Sequence, residues 1–367
     1  AHAMWRFVEE SAGAMDSSVR RVRAFLGMWW AVQGAVVAGV VVALVGGGLL
    51  VDRGVISLGT AFLLFQYVLL VSRPLEEVVH ELETVQKANG AMRRVVDLSA
   101  VRSSIVDEGR RSPPPGPLEV VFDHVDFDYG DGQPVLRDVS FRIAAGRSVG
   151  VVGRTGSGKS TASRLALRLV EATSGRIALS GVPIDEIPMR ELRDRVALVP
   201  QEVELFAGTV RDNVALFDPT PTDRRIDEAL RAVGLDALAD GGIDRPLGAG
   251  GAGLSAGESQ LLAMARVWLR DPDLVVLDEA TARVDPSTER RIETAMHRLI
   301  AGRTAIVIAH RLTTLRTVDD IVVFEAGRVV ESGPRTDLVG DDDSRFSRLL
   351  ALALAAPDDE PALGGVR

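Results

Sequence analysis

The stretch Gly153-Arg154-Thr155-Gly156-Ser157-Gly158-Lys159-Ser160-Thr161 limits the possible folds of this chain more than any other. It fits G-x-x-x-x-G-K-[ST], and its flanks give the pattern a context. Val149 to Val152 is apolar and reads as a buried strand, while Ser160 to Val170 reads as a helix. In such a strand–loop–helix turn, glycines let backbone N–H groups point inward around a polyphosphate. The helix N-terminus adds partial positive charge. Lys159 is expected to reach the β- and γ-phosphates of a nucleoside triphosphate, and Ser160 to ligate Mg²⁺. A Gly/Ser-rich turn before an ordinary helix is the plain alternative, and the buried strand ahead of the loop argues against it.

A second feature concerns the solvent. Phe25 to Val51 contains no charged residue, and a second uncharged run covers Val55 to Ser72. A bilayer crossing needs about 20 apolar residues. The first run begins too late and is too long for a signal peptide, and a second run follows it. With Asp52-Arg53-Gly54 between them, the runs read as a transmembrane hairpin with spans at about 25–51 and 55–72. A hydrophobic content of 46% fits a chain with a membrane portion. Arg20, Arg21 and Arg23 precede the first span, and Lys87, Arg93 and Arg94 follow the second. The positive-inside rule therefore puts both ends of the hairpin in the cytoplasm, where ATP is.

Beyond Arg73-Pro74, Leu75, Val78, Val79, Leu82, Val85, Met92, Val95 and Val96 recur at helical spacing among charged residues. This predicts an amphipathic stalk helix over 73–100. Ser112-Pro113-Pro114-Pro115-Gly116-Pro117 reads as a stiff linker closing a first region at residue 111. From Leu118 the texture is α/β. Strands at Leu118–Phe122, Arg147–Val152, Val196–Val199, Leu274–Leu277 and Thr304–Ile308 alternate with helical stretches, which predicts a mostly parallel sheet covered by helices. This domain is expected over 118–350, with a tail at 351–367 disordered at its end around Pro357-Asp358-Asp359-Glu360-Pro361. The net charge of −9 gives no support to a nucleic-acid partner. With no cysteine, disulfides, zinc–thiolate sites and a Cys nucleophile are excluded.

Leu274-Val275-Val276-Leu277-Asp278-Glu279 is an apolar strand ending in two acids. Downstream of a P-loop, Asp278 suits a second Mg²⁺ contact. Glu279 can accept the proton of an attacking water, or orient it. Gln201 follows the strand at Val196–Val199 and His310 the strand at Thr304–Ile308. Both therefore fall at strand C-terminal ends, where open α/β sheets bind ligands.

In this order the motifs resemble those of an ABC transporter of the exporter type, a resemblance that covers roughly Trp5 to Leu350. It implies an ABC ATPase domain, a P-loop NTPase with a helical subdomain, preceded by an all-α transmembrane hairpin. Tyr129 matches the aromatic that stacks on adenine. Gly153 to Thr161 is the Walker A, and Gln201 the Q-loop that senses Mg²⁺. Leu254-Ser255-Ala256-Gly257-Glu258-Ser259-Gln260 resembles the signature. Asp278 and Glu279 match Walker B and the catalytic glutamate, Ala282-Arg283-Val284-Asp285 the D-loop, and His310 the switch histidine. The resemblance implies ATP and Mg²⁺ as cofactors, with Ser160, Gln201 and Asp278 around the metal. It also implies a second half-transporter subunit, identical or different, as partner. ATP would be sandwiched between the Walker A of one subunit and Ser255 and Gly257 of the other, and closure would drive export of an unidentified substrate. The implied location is the plasma membrane, as a multi-pass protein with its ATPase domain in the cytoplasm.

Departures from the family pattern are specific. The signature has Ala256 and Glu258 in place of glycine and glutamine, Arg283 replaces a small D-loop residue, and Leu247 to Gly251 lacks the acid exporters carry ahead of the signature. An exporter half has six spans, and this chain has two candidate spans. Either it is a C-terminal fragment, the reading preferred here, or the other spans lie on another polypeptide. Two competing functions are a non-transport ABC ATPase, opposed by the hairpin and the acidic balance, and a regulatory membrane subunit. The second is opposed by Lys159, Asp278, Glu279 and His310 all being present.

Overall fold

Two uncharged runs joined by a polar turn can satisfy their backbones in a bilayer only as helices. The computed structural model has them as α1 (His2–Asp52) and α2 (Leu58–Ala100). It describes residues 2–101, 103, 105–130, 132–248, 253–278, 286–309 and 312–355, and the chain divides into two units, Ala1–Ser104 and Ile105–Arg367. In the first unit the turn is closed at Ser57, whose Oγ accepts from the Thr60 N–H at 3.2 Å and caps α2. The helices approach where α1 has glycine. A Cβ on Gly47 would lie 3.3 Å from Ala61 Cβ, and one on Gly39 3.2 Å from Val68 Cγ1.

The segment Trp29–Asp52 is 24 residues long and only 6% buried at its most apolar window. At 1.5 Å per residue it is about 36 Å long, enough for a hydrocarbon core of about 30 Å. The apolar part of α2 is shorter, Leu58–Val71, and falls below the length of a full span. The expected run of 55–72 is thus cut to the helical residues between the Ser57 cap and the charge at Arg73. Side chains such as Val41, Val42, Val45, Leu63 and Leu70 remain exposed, so two helices alone do not cover their own apolar surface.

The second unit opens with β1 (Val120–Asp128), β2 (Pro134–Ile143) and β3 (Ser148–Gly153), followed by α3 (Lys159–Ala166), β4 (Ser174–Leu179) and β5 (Val182–Pro183). Next come α4 (Met189–Arg195), β6 (Val196–Val199), β7 (Gly208–Thr209), α5 (Val210–Ala215), α6 (Asp223–Ala232), α7 (Asp236–Asp240) and β8 (Pro246–Leu247). The signature helix α8 (Ala256–Arg270) precedes β9 (Leu274–Asp278), α9 (Pro286–Ile300) and β10 (Thr304–Ile308). The unit closes with β11 (Asp320–Glu325), β12 (Arg328–Pro334), α10 (Arg335–Gly340) and α11 (Arg345–Ala355).

The larger sheet has the order β12-β11-β3-β10-β9-β6, parallel throughout except for β12. Its central strands β3, β10 and β9 are near-continuous apolar runs, as expected where both faces are covered. Val152, Val275, Leu277, Ala305 and Val307 face one core with the helices. Val149, Val151, Val276, Ile306 and Ile308 face the other. That second core is shared with an antiparallel sheet, β2-β1-β4-β5. The strand expected at Leu118–Phe122 belongs to this sheet and not to the parallel one. Its side chains alternate, with Val120, Phe122, Val125 and Phe127 buried, and the register shifts beyond Phe122, where His124 has φ +50°.

The segment expected to be a stiff spacer lies against the rest of the second unit. The amides of Arg110 and Arg111 both donate to Glu186 O, at 2.8 and 2.9 Å, and Asp107 Oδ1 accepts from the Met189 N–H at 2.9 Å. Arg195 donates to Pro113 O at 2.8 Å, Pro114 O at 2.6 Å and Gly116 O at 2.9 Å while pairing with Asp273 at 2.6 Å. The buried Arg168 donates to Val106 O at 2.9 Å. Residues 105–117 therefore form a strap along residues 184–195, a short 3-10 turn at Ile184–Glu186 followed by α4.

Candidate functional site

The P-loop sits between β3 and α3, where its glycines are sterically required. Gly153 has φ +151°, and a Cβ there would lie 2.3 Å from Phe324 O and 2.7 Å from Ser157 Oγ. Gly158 has φ +104°, and a Cβ there would lie 2.5 Å from Leu136 Cδ2. Both conformations are open to glycine and strained for other residues. The Lys159 side chain is buried, and its Nζ donates to Gly153 O at 2.7 Å and Arg154 O at 3.1 Å, folding the loop around the ammonium. Ser157 Oγ is buried without a hydrogen-bond partner among the described residues. A buried hydroxyl left without a partner costs about 1–3 kcal/mol, and an incoming oxyanion would relieve it. Arg154, Thr155, Gly156 and Ser160 are exposed around it. A glycine cradle, a lysine at its centre and an orphaned hydroxyl together fit a polyphosphate.

Tyr129 stands beside the loop. Its hydroxyl lies 3.3 Å from Thr161 Oγ1 and accepts from Arg164 Nη1 at 3.0 Å, while Phe127 packs edge-on at 4.8 Å. The phenol is held from three sides while half of the residue stays exposed, at 50%. That leaves an aromatic surface next to the helix carrying Ser160.

The strand order brings the acidic and amide positions to the same sheet edge. Asp278 ends β9 in register with Ile308 of β10, which pairs with Val151 just before the P-loop. Gln201 follows β6, where Val199 pairs with Leu277. The oxygens of Ser160, Gln201 and Asp278 are the hard donor types that suit Mg²⁺. No group of three or more His, Cys, Asp or Glu among the described residues is arranged to hold a metal, so a metal here would depend on neutral oxygens and phosphate as well. Glu279, His310, the D-loop residues Ala282 to Asp285, Ala249 to Gly251 and the tail from Ala356 lie outside the described residues.

Ser255 and Gly257 are in a different setting. Ser255 is the N-cap of α8, and its recorded hydrogen bonds run to Glu258 and Ser259, with none to a P-loop residue. Gly257 is buried against α9, and a Cβ there would lie 2.0 Å from Thr288 Cγ2. Glu258 closes a capping box: its Oε2 accepts from the Ser255 N–H and Oγ, both at 2.9 Å, and its own N–H donates back to Ser255 Oγ at 3.2 Å. The bond from the Ser255 N–H, helped by the Ser255 hydroxyl and the charges of Arg291 and Arg245, holds the Glu258 carboxyl below its usual range despite partial burial. The S-x-x-E spacing at 255–258 signals this box in the sequence.

Other supports of the site carry little sequence signal. Buried Gln260 of α8 donates to Pro200 O at 3.4 Å, next to Gln201. Asn213, also buried, accepts from the Phe206 N–H at 2.9 Å and donates to Thr209 O at 3.1 Å. Arg266 Nε donates to Asn213 O at 2.7 Å. These bonds tie the segment after Gln201 to the signature helix.

Residues 136–282 match the ABC transporter family model. The chain is 37% identical over 310 residues to a fatty acid ABC transporter ATP-binding/permease protein of Mycobacterium bovis, covering 82% of this chain and 48% of that protein. It is 38% identical to an ATP-dependent lipid A-core flippase of Burkholderia pseudomallei, covering 71% of this chain and 46% of the flippase. The chain thus spans about half the length of these relatives. A solved bacterial Atm1-family ABC exporter with ATP bound superimposes with a TM-score of 0.66 at 28% identity, over 95% of this chain and 60% of that one.

Proposed function

We infer from these observations that this chain, which belongs to the ABC transporter family and is of the exporter type, couples ATP hydrolysis to movement of a substrate across a membrane. The reading gives the chain two roles in catalysis. Gly153 to Thr161 bind the phosphates of ATP, with Tyr129 against the base, and Ser255 and Gly257 meet the ATP of a second subunit. The observation that carries it is the division of the motifs. The P-loop, Gln201 and Asp278 lie at the ends of strands of one sheet, while the hydrogen bonds described for Ser255 run to Glu258 and Ser259. A nucleotide held by both surfaces needs two copies or two related subunits.

In this account Lys159 exchanges its carbonyl partners for phosphate oxygens, and the Ser157 hydroxyl gains the partner it lacks. Mg²⁺ held by Ser160, Asp278 and Gln201 would neutralise phosphate charge. Glu279 orients the attacking water or takes its proton, and His310 steadies the γ-phosphate end. The subunits close when both phosphate-binding surfaces are engaged and separate after hydrolysis. Membrane association is supported by the exporter relatives and by Trp29–Asp52, and we extend it to a hairpin whose second crossing begins at Leu58. The plasma membrane, a cytoplasmic ATPase domain and the absence of a nucleic-acid partner are parts of the same proposal. The test is Lys159→Ala in the full chain. ATP binding, followed by fluorescence of a labelled nucleotide, should fall at least tenfold, and unchanged affinity would refute the P-loop assignment.

A further inference from the structure

Glu258 is the charged departure within the signature, and the function proposed above makes no use of it. The Ser255 hydroxyl has one proton, and that proton is directed to Glu258 Oε2 at 2.9 Å. The Ser255 N–H is held by the same oxygen at 2.9 Å. The hydroxyl is the Ser255 donor that a partner's γ-phosphate would take in the composite site. An anion of the chain itself already occupies it. The bond from the Ser255 N–H favours the ionised carboxylate, with smaller help from the Ser255 hydroxyl and the charges of Arg291 and Arg245. Arg291 also donates to Gly234 O at 2.9 Å, so its guanidinium is positioned by the fold.

We propose that Glu258 acts as an internal stand-in for the partner's γ-phosphate, guarding Ser255 in the open subunit and setting the ATP concentration at which two subunits close. The proposal rests on the composite-site reading. Closure requires the carboxylate to release Ser255 and to tolerate, or move away from, a highly charged phosphate. Two like charges at close range near a protein surface repel strongly enough to shift such an equilibrium, and salt weakens the effect. A glutamine at 258 keeps the side-chain length and a carbonyl oxygen that can still cap α8, but it removes the charge. Its amide can also donate to phosphate. Glu258 is thus a positioning residue acting through Ser255. Nucleotide binding to an isolated subunit's own P-loop does not involve it.

The experiment compares the full-length chain, Glu258→Gln, Glu258→Ala and Lys159→Ala in lipid nanodiscs. It records binding of a labelled ATP analogue at low protein concentration, ATP-dependent association and melting temperature. Glu258→Gln should leave single-subunit nucleotide affinity unchanged and lower the half-saturating ATP for association roughly tenfold, with the gap shrinking as salt is raised. Glu258→Ala should also lower the melting temperature, because it removes the side-chain half of the capping box together with the charge. Glu258→Gln that associates at the wild-type ATP concentration, or needs more ATP, would overturn the guard role while leaving the composite site intact. Lys159→Ala that still binds ATP would overturn the site reading itself.

Discussion

Arg195→Ala should release the strap at residues 105–117. The guanidinium holds three strap carbonyls, Pro113, Pro114 and Gly116, and pairs with Asp273 one residue ahead of the Walker B strand. The Arg195 side chain is 14% exposed and that of Asp273 is 27%. Pro114 is exposed and its carbonyl can turn to water, whereas Pro113 is buried. Truncation thus leaves one buried carbonyl unpaired, about 1–3 kcal/mol, and a partly buried carboxylate without its cation, about 1–2 kcal/mol after allowing for solvent. The carbonyl part, about 2 kcal/mol, is the loss felt by the strap, while the Asp273 part falls on the sheet. By the usual tenfold per 1.4 kcal/mol, the amides of Arg110 and Arg111 should exchange with solvent roughly thirtyfold faster. Hydrogen exchange read by mass spectrometry on strap peptides is the assay. Arg195→Lys, which keeps the ion pair but not the fork, should lie between wild type and Arg195→Ala. Unchanged exchange over 105–117 in Arg195→Ala would refute the strap. A uniform loss of protection throughout the unit would show that Arg195 supports the sheet and not the strap.

Two further substitutions probe the supports of the site. Gly257→Ala would drive a methyl group into Thr288 at 2.0 Å. It should cost about 1–3 kcal/mol in thermal unfolding, and Thr288→Ala should recover part of the loss in the double variant. Glu331 accepts from the Arg345 and Phe346 amides at 2.9 and 2.8 Å, at the start of the last described helix. Glu331→Ala should therefore destabilise α11 by about 1–2 kcal/mol, seen as faster proteolysis after residue 345 with little change in the rest of the unit.

The strands that precede the P-loop, Gln201 and His310 in the chain, and the one that ends in Asp278, are legible in the sequence for one reason. Strands buried on both faces of a parallel sheet appear as unbroken apolar runs, as in Val149–Val152 and Leu274–Leu277. The antiparallel sheet was harder to read. Val120, Phe122, Val125 and Phe127 alternate with polar residues, and the irregularity at His124 breaks the period of two. The strap reads as a stiff linker because Ser112 to Pro117 reveals stiffness but no partner. Its anchors, Glu186 and Arg195, are remote in sequence. In the sequence Glu258 stands out only as a charge in place of glutamine. The local S-x-x-E pattern gives its actual contact, the Ser255 cap. The second span was drawn to residue 72 from the absence of charge, while the apolar helix runs only from Leu58 to Val71, beginning after the Ser57 cap.

The claim that this chain hydrolyses ATP in a site shared between two subunits is tested most directly by Glu279→Gln. ATP turnover and ATP-dependent association are measured on the same full-length preparation. The account predicts turnover at background with the ATP-bound dimer retained. Turnover at the wild-type rate in that variant would contradict it.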